Sequence, residues 1–465
     1  MQDGAAHRDL WKCKGDSGSR FCMGCLTLSP RAIADWGHQD PMLGRTPLRD
    51  DQVTFCTDEE VIDAVKRLDA FRLVDSAARF EKRSQVLGFT WSPYSLLTDP
   101  CLTGVIRPCS QLMHDWMHGL FSNGVFNILL HNILDALEQE GLRDLYPFLS
   151  GFVAQWTLPR RICASDLART FDPARRKGNR DGGAFRCQAS EGLSLYPLLC
   201  FWIQSMVLPE DIATLACRAF VCFCHLADCC MAAMRGVCAD TVMRPDVHAF
   251  LAQFDAAFGS DIMSQKFHWL VHYARELNHH GFLLSCFVHE RNHKTVRRYA
   301  TPMLNTRDFE RTLIREVVSH GIRVLEDEDA LDSSVGLVRP RRPGKRLRRT
   351  LHELLCHAES QELLVASECR FNAYDTCHVR DVVFIREDSG GFFLGEVFLH
   401  VQSGGLLLTG VSSYKRIALD RATRTAQWEA TGEQQLVSSI DILSVAVWLS
   451  LSPGNVRTLV PTDLM

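Results

Sequence analysis

The spacing of apolar residues changes period partway along this chain, and that change limits the folds open to it more than any other feature. Up to about residue 325 the recurrence is helical. GVFNILLHNILDALEQEGL carries apolar residues at 125, 126, 129, 130, 133, 134 and 137, then stops at Gly141, where a helix C-cap would lie. TDEEVIDAVKRL opens with Thr57 as a cap, has Glu60 three residues later, and places Val61, Ile62, Val65 and Leu68 at helical spacing. From about residue 362 the pattern becomes strands: DVVFIRE, FFLGEVFLHV and GLLLTGV alternate with two SGG turns. One segment cannot keep both periods on a single buried face. The expected fold class is therefore α+β, mainly helical, with a small antiparallel β-barrel over 362–465.

Where the period changes, the charge is segregated. EDEDA is followed by RPRRPGKRLRR, with seven Lys/Arg in the eleven positions Arg339 to Arg349. Adjacent blocks of opposite charge with two prolines read as an exposed linker over 326–361, closed by a short helix, TLHELLCHAE. A second polar, basic insert between Arg160 and Gly183, including RRKGNRDGG, reads as a mobile loop.

Composition excludes several classes. With 46 % hydrophobic and 23 % charged residues, the 465-residue chain is neither disordered throughout nor a fibre. A net charge of −4 means that any basic surface is local. The longest apolar stretch, Leu193 to Leu208, is interrupted by Pro197, Gln204 and Ser205 and falls short of the roughly 18 residues of a membrane span. Asp3, His7, Arg8, Asp9 and Lys12 stand where a signal peptide would need an apolar core. The expectation is a soluble, unsecreted protein without a membrane partner, whose 19 cysteines are thiols in a reducing compartment. Six of them fall between Cys217 and Cys238, at spacings of no zinc module, and read as small hydrophobes of a buried helix.

Three constellations can carry chemistry. CMGC places Cys22 and Cys25 on a Gly-rich turn, which is half of a tetrahedral zinc site. KFHWLVH places His268 and His272 one turn apart on a helix face, where both imidazoles can reach one metal. Taken separately, the first pair can equally be loop thiols and the second a hydrogen-bonded helix face. In FVHERNHKTVRR, Glu290 lies among Arg291, Lys294, Arg297 and Arg298. A carboxylate backed by cations suits a phosphodiester site, although a solvated helix with i,i+4 ion pairs has the same pattern. Asp115 and His118, in DWMH, can simply bond each other and cap a helical turn.

The order of these motifs resembles transposase-like proteins of the CACTA/Tnp2 type, whose relatives are RNase H-fold DDE recombinases with a helical insertion between the second catalytic Asp and the final Glu. The matching segments are DGAAH, KGDSGSRFCMGC, HDWMHGLFSNGVFN, KFHWLVH and CFVHERNHKTVRR, covering about residues 1–325. The resemblance implies a remnant RNase H-like core: an N-terminal, zinc-bearing part over 1–115, a helical insertion over 116–260, and C-terminal core helices over 261–325. It implies that Asp3 is the second catalytic Asp and Glu290 the third acidic residue, with Asp115 a weaker catalytic candidate. Asp115 and His118 would match the C/D-x-x-H motif. Cys22, Cys25, His268 and His272 would complete a structural Zn2+ site.

The pattern departs from the family at its first catalytic Asp. That residue sits on an opening strand well before the second, and only two residues precede Asp3 here. Two-metal phosphoryl transfer needs carboxylates from separate elements. The chain therefore reads as a truncated, catalytically incomplete copy, with Mg2+ relevant only to a complete site. The expected activity is salt-dependent DNA association through Arg291, Lys294, Arg297, Arg298, Arg341, Arg342, Lys345 and Arg346. The basic stretch also resembles a nuclear-localisation signal, and the C-terminal strands resemble a small chromatin-reader barrel with a chromatin or protein partner. The alternatives are an active DDE transposase from a truncated gene model and a zinc-stabilised protein-interaction module.

Overall fold

The computed structural model describes residues 4–28, 46–102, 104–159, 162–287, 296–303, 307–326, 335–355, 362–372 and 375–465. Asp3, Glu290, Arg291 and Lys294 lie outside the described residues. The fold is α+β and divides into two compact units. The first comprises Met1–Leu145, Pro173–Tyr196 and Trp202–Arg291; the second comprises Tyr146–Asp172, Pro197–Phe201 and Asn292–Met465.

The first unit is helical, and one of its helices starts at the cap that the sequence places. In the helix Asp58–Val74, Thr57 Oγ1 accepts from Glu60 N at 3.2 Å while Thr57 N donates to Glu60 Oε2 at 2.8 Å. Val61, Val65 and Leu68 then pack with Trp11, Phe89 and Leu112 in one core cluster. The helix Val125–Gln139 ends just before Gly141, whose φ of +99° suits only a residue without Cβ. Its buried face meets a run of rings: Phe126 lies 5.7 Å from Phe223, Phe223 lies 5.7 Å from Phe250, and Phe254 lies 4.5 Å from Phe267. The cysteine-rich run forms the helix Thr214–Met234, in which Cys217, Cys224 and Cys230 are buried among Phe220, Phe223 and Leu226, as small hydrophobes would be.

Two expectations change here. The basic insert near residue 175 is ordered as the helix Pro173–Gly182, because Arg176 and Arg180 both pair with Glu138 and buried Asn179 accepts from Arg186 N. An RNase H-like sheet is not seen: among the described residues the first unit has only isolated bridges, such as Cys13 with Phe89 and Cys25 with Phe55.

Two helices, Ala189–Glu210 and Thr214–Met234, are long and apolar enough to cross a membrane by length and composition. About half of each is buried inside the protein.

The second unit is built on strands. A three-stranded sheet has the order β1 (Gly336–Val338), β3 (Glu368–Arg370), β4 (Thr376–His378). The larger sheet runs β10 (Val447–Ser452), β11 (Asn455–Leu459), β8 (Thr425–Ser438), β7 (Leu406–Asp420), β6 (Phe392–Ser403), β5 (Val382–Arg386), β9 (Ile442–Val445). The strand β2 (Leu363–Ala366) also pairs with β6. All pairings are antiparallel, and the two SGG turns sit at positive φ at Gly390, Gly404 and Gly405. The run VVFIR is continuously apolar because β5 is covered on both faces. Val382 and Phe384 pack with Leu394 and Trp428, whereas Val383 and Ile385 pack with Val397, Val411 and Ile442.

The sheet is not a closed barrel. Its terminal strands β9 and β10 follow each other end to end through Ala446, so they cannot lie side by side and pair. The exposed edge of β10 is met by Thr157, which exchanges two backbone hydrogen bonds with Trp448 at 2.7 and 3.0 Å. The basic stretch is also more than a solvated linker. Arg341 and Val365 exchange backbone hydrogen bonds at 2.9 and 2.8 Å, and the helix Lys345–Leu355 starts within the stretch. Leu351 anchors that helix against Leu363, Val365 and Val401.

Candidate metal centre

The helix Gln265–His280 starts after Ser264 and ends at Gly281, whose φ is +78°. It is buried over most of its length, and His268 and His272 lie on its inner side with 0 and 3 % of their surface exposed. The CMGC turn reaches them from 243 residues away. Cys25 Sγ is 3.2 Å from His268 Nε2, Cys22 Sγ is 3.5 Å from His272 Nε2, and the two Nε2 atoms are 3.1 Å apart.

A tetrahedral ion with Zn–N near 2.0–2.1 Å and Zn–S near 2.3 Å holds its donors roughly 3.3–3.8 Å apart. The observed spacings fall at or just below that range. Two Sγ and two Nε2 atoms converging in a buried space could hold a tetrahedral metal ion such as zinc.

The turn is shaped for this task. Arg20, itself buried, donates to the carbonyl oxygens of Cys22, Met23 and Cys25 and to Cys56 Sγ, which curls the backbone around one guanidinium. Cys56 N donates to Gly24 O and Leu26 N to Thr54 O, tying the turn to the next segment. Gly24 is needed for close approach, since a Cβ there would lie 3.0 Å from Leu112 Cδ2 and 3.2 Å from His272 Cε1. Phe21 and Phe55 set their rings edge-on against His268 and His272 at 4.8 and 5.3 Å.

Two of the shifts suit a cation, and the third marks the proton that binding would have to displace. The hydrogen bond from Cys22 holds the Cys25 thiol far below its usual range, while that bond and burial push Cys22 up. Burial lowers the His272 pKa, so its imidazole is neutral and has a lone pair to offer.

Asp115 and His118 do bond each other and cap the short helix Trp116–Leu120. Asp115 Oδ1 accepts from Met117 N and Cys286 N at 3.2 and 2.8 Å; Oδ2 accepts from His118 N at 3.1 Å and from His118 Nδ1. Burial opposes the charge, but the His118 and Cys286 hydrogen bonds outweigh it and hold the carboxyl below the usual range. The carboxylate thus pins three backbone amides, including one from the segment after the histidine helix.

Beside it, His114 Nδ1 bonds Glu276 Oε1 at 2.5 Å and His114 N donates to Glu276 Oε2 at 2.9 Å. Each group of potential ligands among the described residues contains at most one carboxylate, so the expectation of Mg2+ finds no support. Arg297, Arg298, Arg341, Arg342, Lys345 and Arg346 are exposed, all in the second unit.

The sequence motifs found the four donors and missed their supports. No spacing rule marks Arg20, His114 or Glu276, because each acts through a partner distant in sequence or through carbonyl oxygens. Gly24 carried a signal, as the glycine inside CMGC. Set beside known protein families, characterised proteins and solved structures, the chain matches none of them.

Proposed function

We propose that the chain is a transposase-derived protein that associates with DNA rather than cutting it, its first unit closed by a structural Zn2+ and its second presenting the cationic surface. The kinship rests on the order of motifs in the sequence. The burial of the four donors supports a structural role for the metal, since a hydrolytic zinc needs an open position.

One observation carries the DNA reading. Leu351 docks the helix Lys345–Leu355 onto the sheet, and Lys345, Arg346, Arg348 and Arg349 are exposed on that helix, on a chain whose total charge is negative. Exposed cations close in sequence to Arg341 and Arg342 suit a phosphate backbone, read without base contacts.

The test is fluorescence anisotropy with a random duplex at several salt concentrations. Binding that weakens by orders of magnitude between about 50 and 200 mM salt is expected. It should drop further in Arg341→Glu/Arg342→Glu/Lys345→Glu/Arg346→Glu. No binding at the lowest salt would overturn the reading.

A second reading, a zinc-stabilised protein-interaction module, is favoured by the helix Phe309–Glu326. Its Ile314, Val318, Ile322 and Leu325 are half or more exposed at three- and four-residue spacing, a stripe that a partner helix would cover. Absence of DNA binding would put this reading first.

A further inference from the structure

We propose that Glu276, held by His114, is a positioning residue for the metal ligand His272, an outer carboxylate that orients the imidazole and strengthens its bond to the ion. The proposal rests on the zinc reading above. His272 turns Nε2 toward Cys22 and His268, which leaves Nδ1 outside the donor set. One helical turn further along lies Glu276, nine-tenths buried. The closest ligand atoms of His114, His272 and Glu276 all lie within 4.8 Å of one another.

A metal-bound histidine almost always gives its second N–H to a carboxylate, a carbonyl or a water, which fixes its tautomer and raises its basicity. Each Glu276 oxygen keeps a second lone pair beside its bond to His114, and in the zinc form one of them would take that proton's hydrogen bond.

His114 explains why the carboxylate stays put. Its ring nitrogen and backbone amide each occupy one Glu276 oxygen, and its ring lies 5.0 Å from His272 and 5.4 Å from Trp269. Trp269, His272 and Glu276 share one face of the helix, so His114 sits along that face as a brace. A plain buried ion pair would satisfy Glu276 anywhere in the core. Its placement one turn from a ligand fits a role toward His272.

The test is zinc affinity by competition with a chromophoric chelator, together with the ligand-field absorption of the Co2+-substituted protein. Glu276→Gln should weaken zinc binding by about 10- to 100-fold and shift the Co2+ bands while keeping a four-coordinate spectrum. Glu276→Asp should recover part of the affinity. Leu277→Ala, a neighbouring core truncation, should lower the melting temperature without moving the Co2+ bands.

Wild-type protein supplies a readout that survives misfolding of any variant. The His272 Nδ1 proton in the zinc form should show an NMR shift typical of a hydrogen bond to a carboxylate. Unchanged affinity and bands in Glu276→Gln, or a His272 Nδ1 proton without that shift, would overturn the proposal while leaving the clamp intact. Wild-type protein without zinc would overturn the clamp itself.

Discussion

In the first unit four buried donors converge from two distant stretches of sequence, whereas the second is held by strand pairing and a two-faced core. Cys22 meets His272 across 250 residues of sequence, and Cys25 meets His268 across 243. Such distant ends are costly to bring together, and an ion that bound only the assembled donors would make the closure favourable. In the second unit the links accumulate locally. Strands β5 to β8 pair in sequence order, and Trp428 is buried against Phe384 and Phe392 with its Nε1 donating to Thr458 Oγ1 at 2.9 Å. With the ion bound, the first unit would add a single long-range link to its helical core, while the second spreads its links along a ladder.

Metal removal should therefore produce the largest effect, confined to one unit. Structural zinc contributes about 10–16 kcal/mol in small zinc domains, at or above the roughly 5–15 kcal/mol by which a whole domain is stable. Wild type should carry one zinc per chain, and His268→Ala/His272→Ala should carry none. Chelation or the double variant should abolish the helical melting transition followed by circular dichroism and leave the sheet transition in place. Two transitions at unchanged temperatures after complete chelation would break the comparison.

Core truncations should sharpen it. Phe223→Ala in the helical unit and Trp428→Ala in the sheet unit each remove a fully buried ring, at about 3–5 kcal/mol. In calorimetry each should lower only its own unit's transition. Zinc should raise the melting temperature of Trp428→Ala's helical transition as it does in wild type, and leave its sheet transition where it is.

Acid should destabilise both units, for different reasons. In the first, falling pH protonates thiolates and imidazoles and releases the ion. In the second, burial lowers His400 to about 4 from 6.5, with His378 adding to the effect, and its Nδ1 is bonded to Thr409 Oγ1 at 3.0 Å. Because the unfolded chain binds the proton more readily, this contribution is complete above pH 6.5 and is lost as pH falls from 6.5 toward 4. It amounts to about 3 kcal/mol at most. Urea melts of the sheet transition from pH 7 to pH 4 should show that slope, and His400→Gln should flatten it.

How much could be read in advance divides along the same line. Local signals were legible: the Thr57 and Glu60 cap, the helix stop at Gly141, the SGG turns and the two halves of the clamp are each written in a few neighbouring residues. What escaped depends on distance. Nothing in VVFIR says that both faces of β5 are covered, and nothing in the order of β9 and β10 says that they run on in line and leave the sheet open. The stretch from Arg160 to Gly183 looked mobile because its partner, Glu138, lies outside it. The linker carries more structure than its charge alone suggests for the same reason, since Leu351 and Arg341 find their partners on β2 and β6.

The smallest effect tests the most legible feature. Thr57→Ala removes the acceptor for Glu60 N and leaves the return bond from Thr57 N to the Glu60 carboxylate intact. The exposed cap can be replaced in part by water, so the loss should be about 1 kcal/mol, or a few degrees in the helical transition. It should not alter zinc content, because the cap lies on a helix that contributes no donor. A loss several times larger would mean that the start of this helix and the metal centre are coupled. The clamp would then act on the whole helical unit through Cys56, which neighbours the cap and meets Arg20 at 3.0 Å. An effect near 1 kcal/mol would instead confine the ion's influence to the turn and the helix that it joins.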